Sequence, residues 1–415
     1  MQWVVVFKGA RDSYQIPLAL AEVGRLEALV TDWYSPLDRP WLRQLAERFP
    51  RLGSALRKRY CDGLPSASVR VMPLELIRSK VSSRAGSEHG DNRIGAVAGS
   101  LARARRAGIL SCSYYGYAAF RQYGDGPAPK VLFQLHPHPS SIRSLFSEEM
   151  RLAPECRESL SGELEMSMPE HRFRQLCEEA ALADLIMTPS SYVKQTLAEH
   201  GVAEHRVRVV PHGVRLDLFW PPAEPPRGPF RVVFAGQMVQ RKGLGYLLEA
   251  WRRLALRDAE LVLVGRGLMD NALLARYDGV YTLRAGVTRD ELRAIYQSSD
   301  LCCVPSLAEG FGLVYLEALA CGTPVIGTPN TGAADLITEG GEGFIVPIRD
   351  VEALSDRIRW CYGHRGALRE MRPRARQLAE KHPPERFRQI LAETVSQLGT
   401  SAEARGSAGG EGTLA

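Results

Sequence analysis

No run of roughly 18 or more apolar residues occurs in the 415-residue chain, so no membrane-spanning helix is expected. A basic leader ahead of a long apolar core is also missing, and "MQWVVVFKGARD" reads as a first β-strand, not a signal segment. The eight cysteines include no C-x-x-C pair, which removes the usual spacing of zinc and dithiol sites. Such usage fits a reducing cytosol, where cysteine serves as a small hydrophobe. There is no G-x4-G-K-[ST] phosphate loop and no D-x-D pair for a metal-held sugar nucleotide. "VGRGLMD" (264–270) starts like a dinucleotide fingerprint, but Asp270 stands in place of its third glycine. No internal repeat is evident.

Acidic charge is not in excess: the net charge is +6, and the cations are unevenly placed. Residues 39–59, "RPWLRQLAERFPRLGSALRKR", hold seven Arg or Lys against one Glu. Two readings stay open, a solvated face with arginine stems over apolar surface, or an amphipathic segment meeting an anionic membrane. No nucleic-acid recognition motif accompanies the cations.

What the sequence does have is short apolar runs alternating with helical patterns. Strands are predicted at 3–7, 28–31, 108–113, 130–135, 185–190, 207–211, 230–236, 260–265, 280–286, 301–306, 324–328 and 343–347. Many are apolar throughout, the mark of parallel strands buried on both faces by helices. The pattern predicts an α/β chain of two doubly wound units. The proline-rich "WPPAEPPRGP" (220–229) divides them, because it suits neither strand nor helix interior. Residues 400–415 are small and polar and are expected to be disordered. Ligands of open parallel sheets sit beyond the strands' carboxyl ends, so chemistry is sought just after strands.

Four stretches stand out there. In "SLAEGFGLVYLEALACGTPV" (306–325), Glu309 falls on a loop loosened by Gly310 and Gly312. A helix is predicted from Leu313 to just before Gly322, and its free N–H groups at 312–314 suit an anion. Glu317 lies on that otherwise apolar helix with no Arg or Lys three or four residues away. A ribose hydroxyl pair or the amides of a neighbouring loop would satisfy it equally well. In "FAGQMVQRKGLGYLLEAW", Arg241 and Lys242 oppose the dipole of the helix they precede, which a diphosphate would correct. His136 follows a buried strand in "VLFQLHPHPSS" (131–141), where a structural role competes with a catalytic one. Gly9, after the first strand, permits close backbone approach.

These pieces resemble the retaining GT-B glycosyltransferases of family 4, the glycosyltransferases group 1. The resemblance covers about residues 180–350, from "ADLIMTPSSYVKQTL" through "VRVVPHGVRLDLF", "LVLVGRG" and the block ending "GTPVIGTPNTGAADLI" to "GEGFIVP". It implies a GT-B fold of two Rossmann-like domains facing a cleft. The domain at 1–219 would bind the acceptor and that at 230–380 the nucleotide sugar, with a helix at 381–399 returning to the first. It further implies that Glu309 binds donor sugar hydroxyls and that Gly310, Phe311, Gly312, Leu313 and Val314 contact sugar and phosphate. Glu317 would hold the ribose, Arg241 and Lys242 the diphosphate, and Val287 the base. Gly236 would lie at the donor site, Gly9 would approach the phosphates, and His136 would stand beside the donor sugar as a catalytic group. No metal or other cofactor is implied. The implied location is cytoplasmic, peripheral on the membrane if residues 39–59 touch it, with a lipid-linked molecule or a secondary metabolite as the alternatives for the acceptor. Departures from the pattern are His212 in "PHGV" for asparagine, Asp335 for glutamate, and the absence of paired glycines around Lys8-Gly9-Ala10. The rival readings are a nucleotide-sugar epimerase, an inverting transferase and a non-catalytic sugar-nucleotide binder.

Overall fold

The computed structural model describes residues 1–74, 84–267 and 271–408. Residues 268–270, which end the "VGRGLMD" stretch, and 409–415 lie outside the described residues.

The apolar runs form two all-parallel sheets. The first contains β1 (Trp3–Val6), β2 (Leu26–Thr31), β3 (Val69–Val71), β4 (Gly108–Cys112), β5 (Lys130–Phe133), β6 (Leu185–Thr188) and β7 (Val207–Val209). Their order is β3-β2-β1-β4-β5-β6-β7. The second contains β8 (Phe230–Ala235), β9 (Ala259–Val264), β10 (Thr282–Arg284), β11 (Leu301–Cys303), β12 (Val325–Gly327) and β13 (Gly343–Ile345), ordered β10-β9-β8-β11-β12-β13. β1, β4, β11 and β12 are buried along their whole length, as strands covered on both faces by helices are. Each sheet has its own core. Strand order reverses beside β1 and β4 in one sheet and beside β8 and β11 in the other. At such a reversal the loops diverge and leave a crevice.

The chain passes between the domains twice, side by side. Val214 N–H donates to the His382 carbonyl at 2.8 Å. A Cβ on Gly213 would lie 2.7 Å from the Pro383 backbone. Val214 and Phe219 already belong to the second core, so the first crossing precedes the proline stretch 220–229, which runs over the second domain. The last helix, Pro384–Ala408, inserts Phe387, Leu391 and Val395 into the first core. It outruns the expected 381–399, and residues 400–408 continue it where disorder was expected. Apart from Gly406, residues 400–408 are small or charged, and no proline stops the helix.

Candidate functional site

After β8 the chain turns at Gly236 (φ 146°), makes one 3-10 turn over Gln240–Lys242, and enters the helix Leu244–Leu254 through Gly243. Only glycine fits at 243, where φ is 69° and a Cβ would meet the Pro305 carbonyl oxygen at 1.8 Å. This close contact ties the loop after β8 to the one after β11. Both cations reach Glu309 across it. Lys242 Nζ lies 2.7 Å from Glu309 Oε1, and the Arg241 guanidinium donates to the same oxygen. Arg241 also donates to Glu163 Oε1 at 3.1 Å and to Gln237 Oε1 at 3.0 Å.

The electrostatics follow from burial against pairing. Burial holds the Lys242 ammonium below its usual pKa despite Glu309 beside it. Burial also opposes charge on Glu309, yet Arg241 and Lys242 together keep that carboxylate below the normal range. Arg241 loses solvation but is raised by Glu309 and Glu163. The cluster is therefore a charged set whose members are held ionised by one another.

Glu309 leads into a loop wedged between the domains. A Cβ on Gly310 would lie 1.7 Å from the Leu135 carbonyl oxygen of the first domain, and Ser190 Oγ donates to the Gly310 carbonyl at 2.6 Å. Gly310→Ala is expected to force the domains apart and reduce activity at least about tenfold, read as initial rate together with small-angle scattering. Phe311 is buried and packs edge-on against His212 at 5.6 Å, so the ring anchors the loop instead of facing the crevice. Gly312 (φ 91°) starts the helix Leu313–Ala320 without a side-chain cap. The N–H groups of Leu313 and Val314 precede the first intrahelical hydrogen bond, which Tyr315 N–H makes to the Gly312 carbonyl at 3.0 Å. Leu313, 40% exposed, and Glu317 line an interdomain cavity of about 150 Å³ with Asp12, Ser13 and Arg289. Glu317 accepts from Tyr296 Oη at 3.3 Å, and burial raises its pKa. The donor that sequence could not find on its own helix thus comes from the helix Arg289–Gln297. Val314 and Val287 are half-buried and pack on the second core.

The first domain closes a second cavity, about 200 Å³, over Glu309, Gly310 and Arg241. His136 lines it after β5, its ring 5.6 Å from that of Tyr114. Burial pushes the His136 pKa down to about 4, and that of His138 to about 4 as well. A base depressed in the folded state takes up its proton first in the unfolded chain. Its contribution is fully present above about pH 6.5 and is lost as pH falls towards 4. The gap in melting temperature between wild type and His136→Gln should therefore shrink on acidification, which a pH series of thermal melts will measure.

Gly9 stands apart. Its N–H donates to Asp32 Oδ1 at 2.8 Å, and Arg59 sits against the same carboxylate at 3.2 Å. Gly9 lines neither cavity, and its amide is committed within its own domain. Asp12, Ser13 and Tyr14 have φ of 46°, 50° and 64°, a run of left-handed backbone that non-glycine residues rarely adopt and that clusters at functional sites. Arg11, Tyr114, Glu163 and Glu165, none marked by a motif, line the cavity with His136. Tyr114 Oη donates to Glu165 Oε1 at 2.5 Å, and the Arg11 guanidinium lies 5.8 Å from the Tyr114 ring.

Known proteins resemble this chain in sequence and in fold. Residues 229–364 match the family model for glycosyl transferases group 1. The D-inositol 3-phosphate glycosyltransferase of Pseudarthrobacter chlorophenolicus is 33% identical over 202 residues, 43% of this chain and 48% of that protein. The MMP alpha-(1->4)-mannosyltransferase of Mycolicibacterium hassiacum is 33% identical over 186 residues, 42% of this chain and 44% of that protein. The chain thus spans about half the length of the curated relatives it matches. Among solved structures, sucrose-phosphate synthase from Thermosynechococcus elongatus superposes with a TM-score of 0.67 at 19% identity, over 97% of this chain and 100% of that one. HepE of Anabaena, solved in complex with UDP, gives 0.64 at 16% identity over 96% and 100%. The chain has the two-domain GT-B fold, and residues 229–364, within its second domain, match the glycosyl transferases group 1.

Proposed function

We propose that this protein is a glycosyltransferase that moves a sugar from a nucleoside diphosphate sugar to an acceptor hydroxyl with retention at the anomeric carbon. The observation that carries the reading is the convergence of Arg241 and Lys242 on Glu309, next to a helix start whose N–H groups are uncapped. A diphosphate entering there would replace part of the Glu309 pairing and gain both cations. Stabilising the negative charge that develops on the leaving diphosphate is the largest single contribution such a site can make. The protein's own cations supply that charge, so no metal is invoked.

Glu309 would then turn to the donor sugar hydroxyls, Glu317 would hold the ribose, and Val287 would flank the base. Gly310 and Gly312 would let the backbone approach the sugar and phosphate. The acceptor hydroxyl would attack from the same face as the departing diphosphate. A phosphate oxygen would take its proton as the C–O bond to the leaving group breaks. Glu309 and Glu317 line separate cavities, which favours this course over a carboxylate pair flanking one bond. His136, neutral above pH 5, can donate or accept one hydrogen bond to the sugar without adding charge.

The test is a panel of nucleoside diphosphate sugars with the purified protein, with and without EDTA, read by nucleotide release and by the anomeric configuration of the product. Release insensitive to EDTA with retention supports the reading. An inverted product, an epimerised donor, or binding without turnover would each replace it with the corresponding rival.

The acceptor side is proposed to meet an anionic membrane, with the protein cytoplasmic and peripheral and the acceptor lipid-linked, as in glycolipid or polysaccharide assembly. Helices Pro40–Arg48 and Pro50–Arg57 pack on each other where a Cβ on Gly53 would touch the Ala46 carbonyl at 2.1 Å. Trp41, Leu45, Phe49 and Leu52 are left exposed among the arginines, with Trp41 at 61%. A cavity of about 820 Å³ lies at the end of this pair, lined by Arg57, Lys58 and Tyr60. Among the described residues no helix is long and apolar enough to cross a membrane. Flotation with phosphatidylglycerol vesicles should capture the wild type and lose the Trp41→Glu/Phe49→Glu variant, and binding should weaken with salt. Equal binding to phosphatidylcholine would remove the electrostatic part of the proposal.

A further inference from the structure

Between β5 and β6 the first domain sends out a helical segment whose longest helix is Pro139–Leu152. Glu149 on that helix is fully buried. Its Oε1 accepts from Gln240 Nε2 at 2.8 Å and from Tyr246 Oη at 2.7 Å, and its Oε2 accepts from Arg349 Nε at 2.7 Å. All three donors belong to the other domain. The same segment supplies Ser159 Oγ, which accepts from the Gln240 backbone N–H at 2.9 Å, and Glu163, which accepts from Arg241. Cys156 of this segment is part of the second domain's core.

Resting on the donor-site reading above, we infer that Glu149 is a positioning residue: from across the domain interface it fixes Gln240, and with it the turn that presents Arg241 and Lys242 to the diphosphate. Gln240, Arg241 and Lys242 form a single 3-10 turn, so whatever fixes the first sets the direction of the next two. A buried carboxylate is costly unless charged or polar donors surround it, and these donors surround it only when the domains are docked as here. Domain docking and the aim of the cations are therefore one event. Gln240 Oε1 in turn accepts from Gly245 N–H at 3.2 Å, which ties the turn to the first residues of the following helix.

A merely structural tie would lower stability and weaken all ligands alike. A positioning role is specific to phosphate. The experiment is calorimetric titration of wild type, Glu149→Gln and Gln240→Ala with UDP, GDP and ADP and with the matching nucleosides. Both variants should bind the preferred diphosphate about tenfold more weakly, while nucleoside affinity stays within about twofold. Gln240→Ala keeps the Glu149–Tyr246–Arg349 contacts, so it reports the effect even if Glu149→Gln fails to fold. Unchanged diphosphate affinity in Gln240→Ala, or equal weakening of diphosphate and nucleoside, overturns the inference while leaving the donor-site reading intact. A wild type that binds none of the three diphosphates overturns both.

Discussion

Glu309→Ala is expected to reduce sugar transfer by at least about a thousandfold while nucleoside diphosphate binding survives or tightens. Glu309 is the shared partner of Arg241 and Lys242. Removing it takes away the group proposed to hold the donor sugar and frees both cations for the diphosphate. It also leaves two positive charges in a largely buried site, with Glu163 paired to Arg241 and Glu165 near it to balance them. The loss of stability should be on the order of 3 kcal/mol, the usual cost of breaking a buried ion pair from one side. A ligand that restores the missing negative charge should recover much of it. The thermal shift produced by saturating UDP or its preferred analogue should therefore be larger in the variant than in the wild type. Equal shifts, or full transfer activity in the variant, would show that Glu309 does not hold the cations or the sugar as described.

Lys242→Met acts on the opposite charge, and the expected loss in kcat/KM is about a hundredfold to a thousandfold. Methionine keeps the apolar stem that packs beside Gly236, where a Cβ would lie 3.6 Å from the lysine chain. The change is thus confined to the ammonium. Since that charge stabilises the departing diphosphate more than the intact donor, kcat should fall further than KM rises. The double variant Lys242→Met/Glu309→Gln should regain stability without regaining turnover, because the two groups neutralise each other in the resting site but serve different parts of the donor. Additive losses of stability in the double variant would contradict the pairing.

The second domain was largely legible in its sequence because its site is local. Glu309, Gly312, Leu313 and Glu317 follow one another on a loop and a helix start, and Arg241 and Lys242 follow one strand. Strands such as β11 and β12 announce themselves as unbroken apolar runs. β3 did not: its three residues, Val69–Val71, lie at the sheet edge with Arg70 and Val71 exposed, and so carry no burial pattern. The first domain's share of the site was mostly illegible. Tyr114 follows β4, while Glu163 and Glu165 lie two residues apart at the start of the short helix Leu164–Ser167, and the partners meet at long range: Tyr114 with Glu165, and Glu163 with Arg241. No spacing rule reaches that far. For Gly9 the resemblance implied an approach to the phosphates, and no local pattern announced that its amide donates to Asp32. Glu149 reads in sequence as one more acid on an amphipathic helix. Only the docked second domain reveals why it is buried.

The central claim is that a diphosphate is drawn to Lys242, Arg241 and the uncapped start of the helix Leu313–Ala320. A crystal structure with a bound nucleoside diphosphate sugar tests it most directly. The account predicts phosphate oxygens within about 3 Å of Lys242 Nζ and of a backbone N–H at 312–314, with Glu309 released from Lys242 and turned to the sugar. Phosphates bound elsewhere, with the Lys242–Glu309 pair intact, would contradict it.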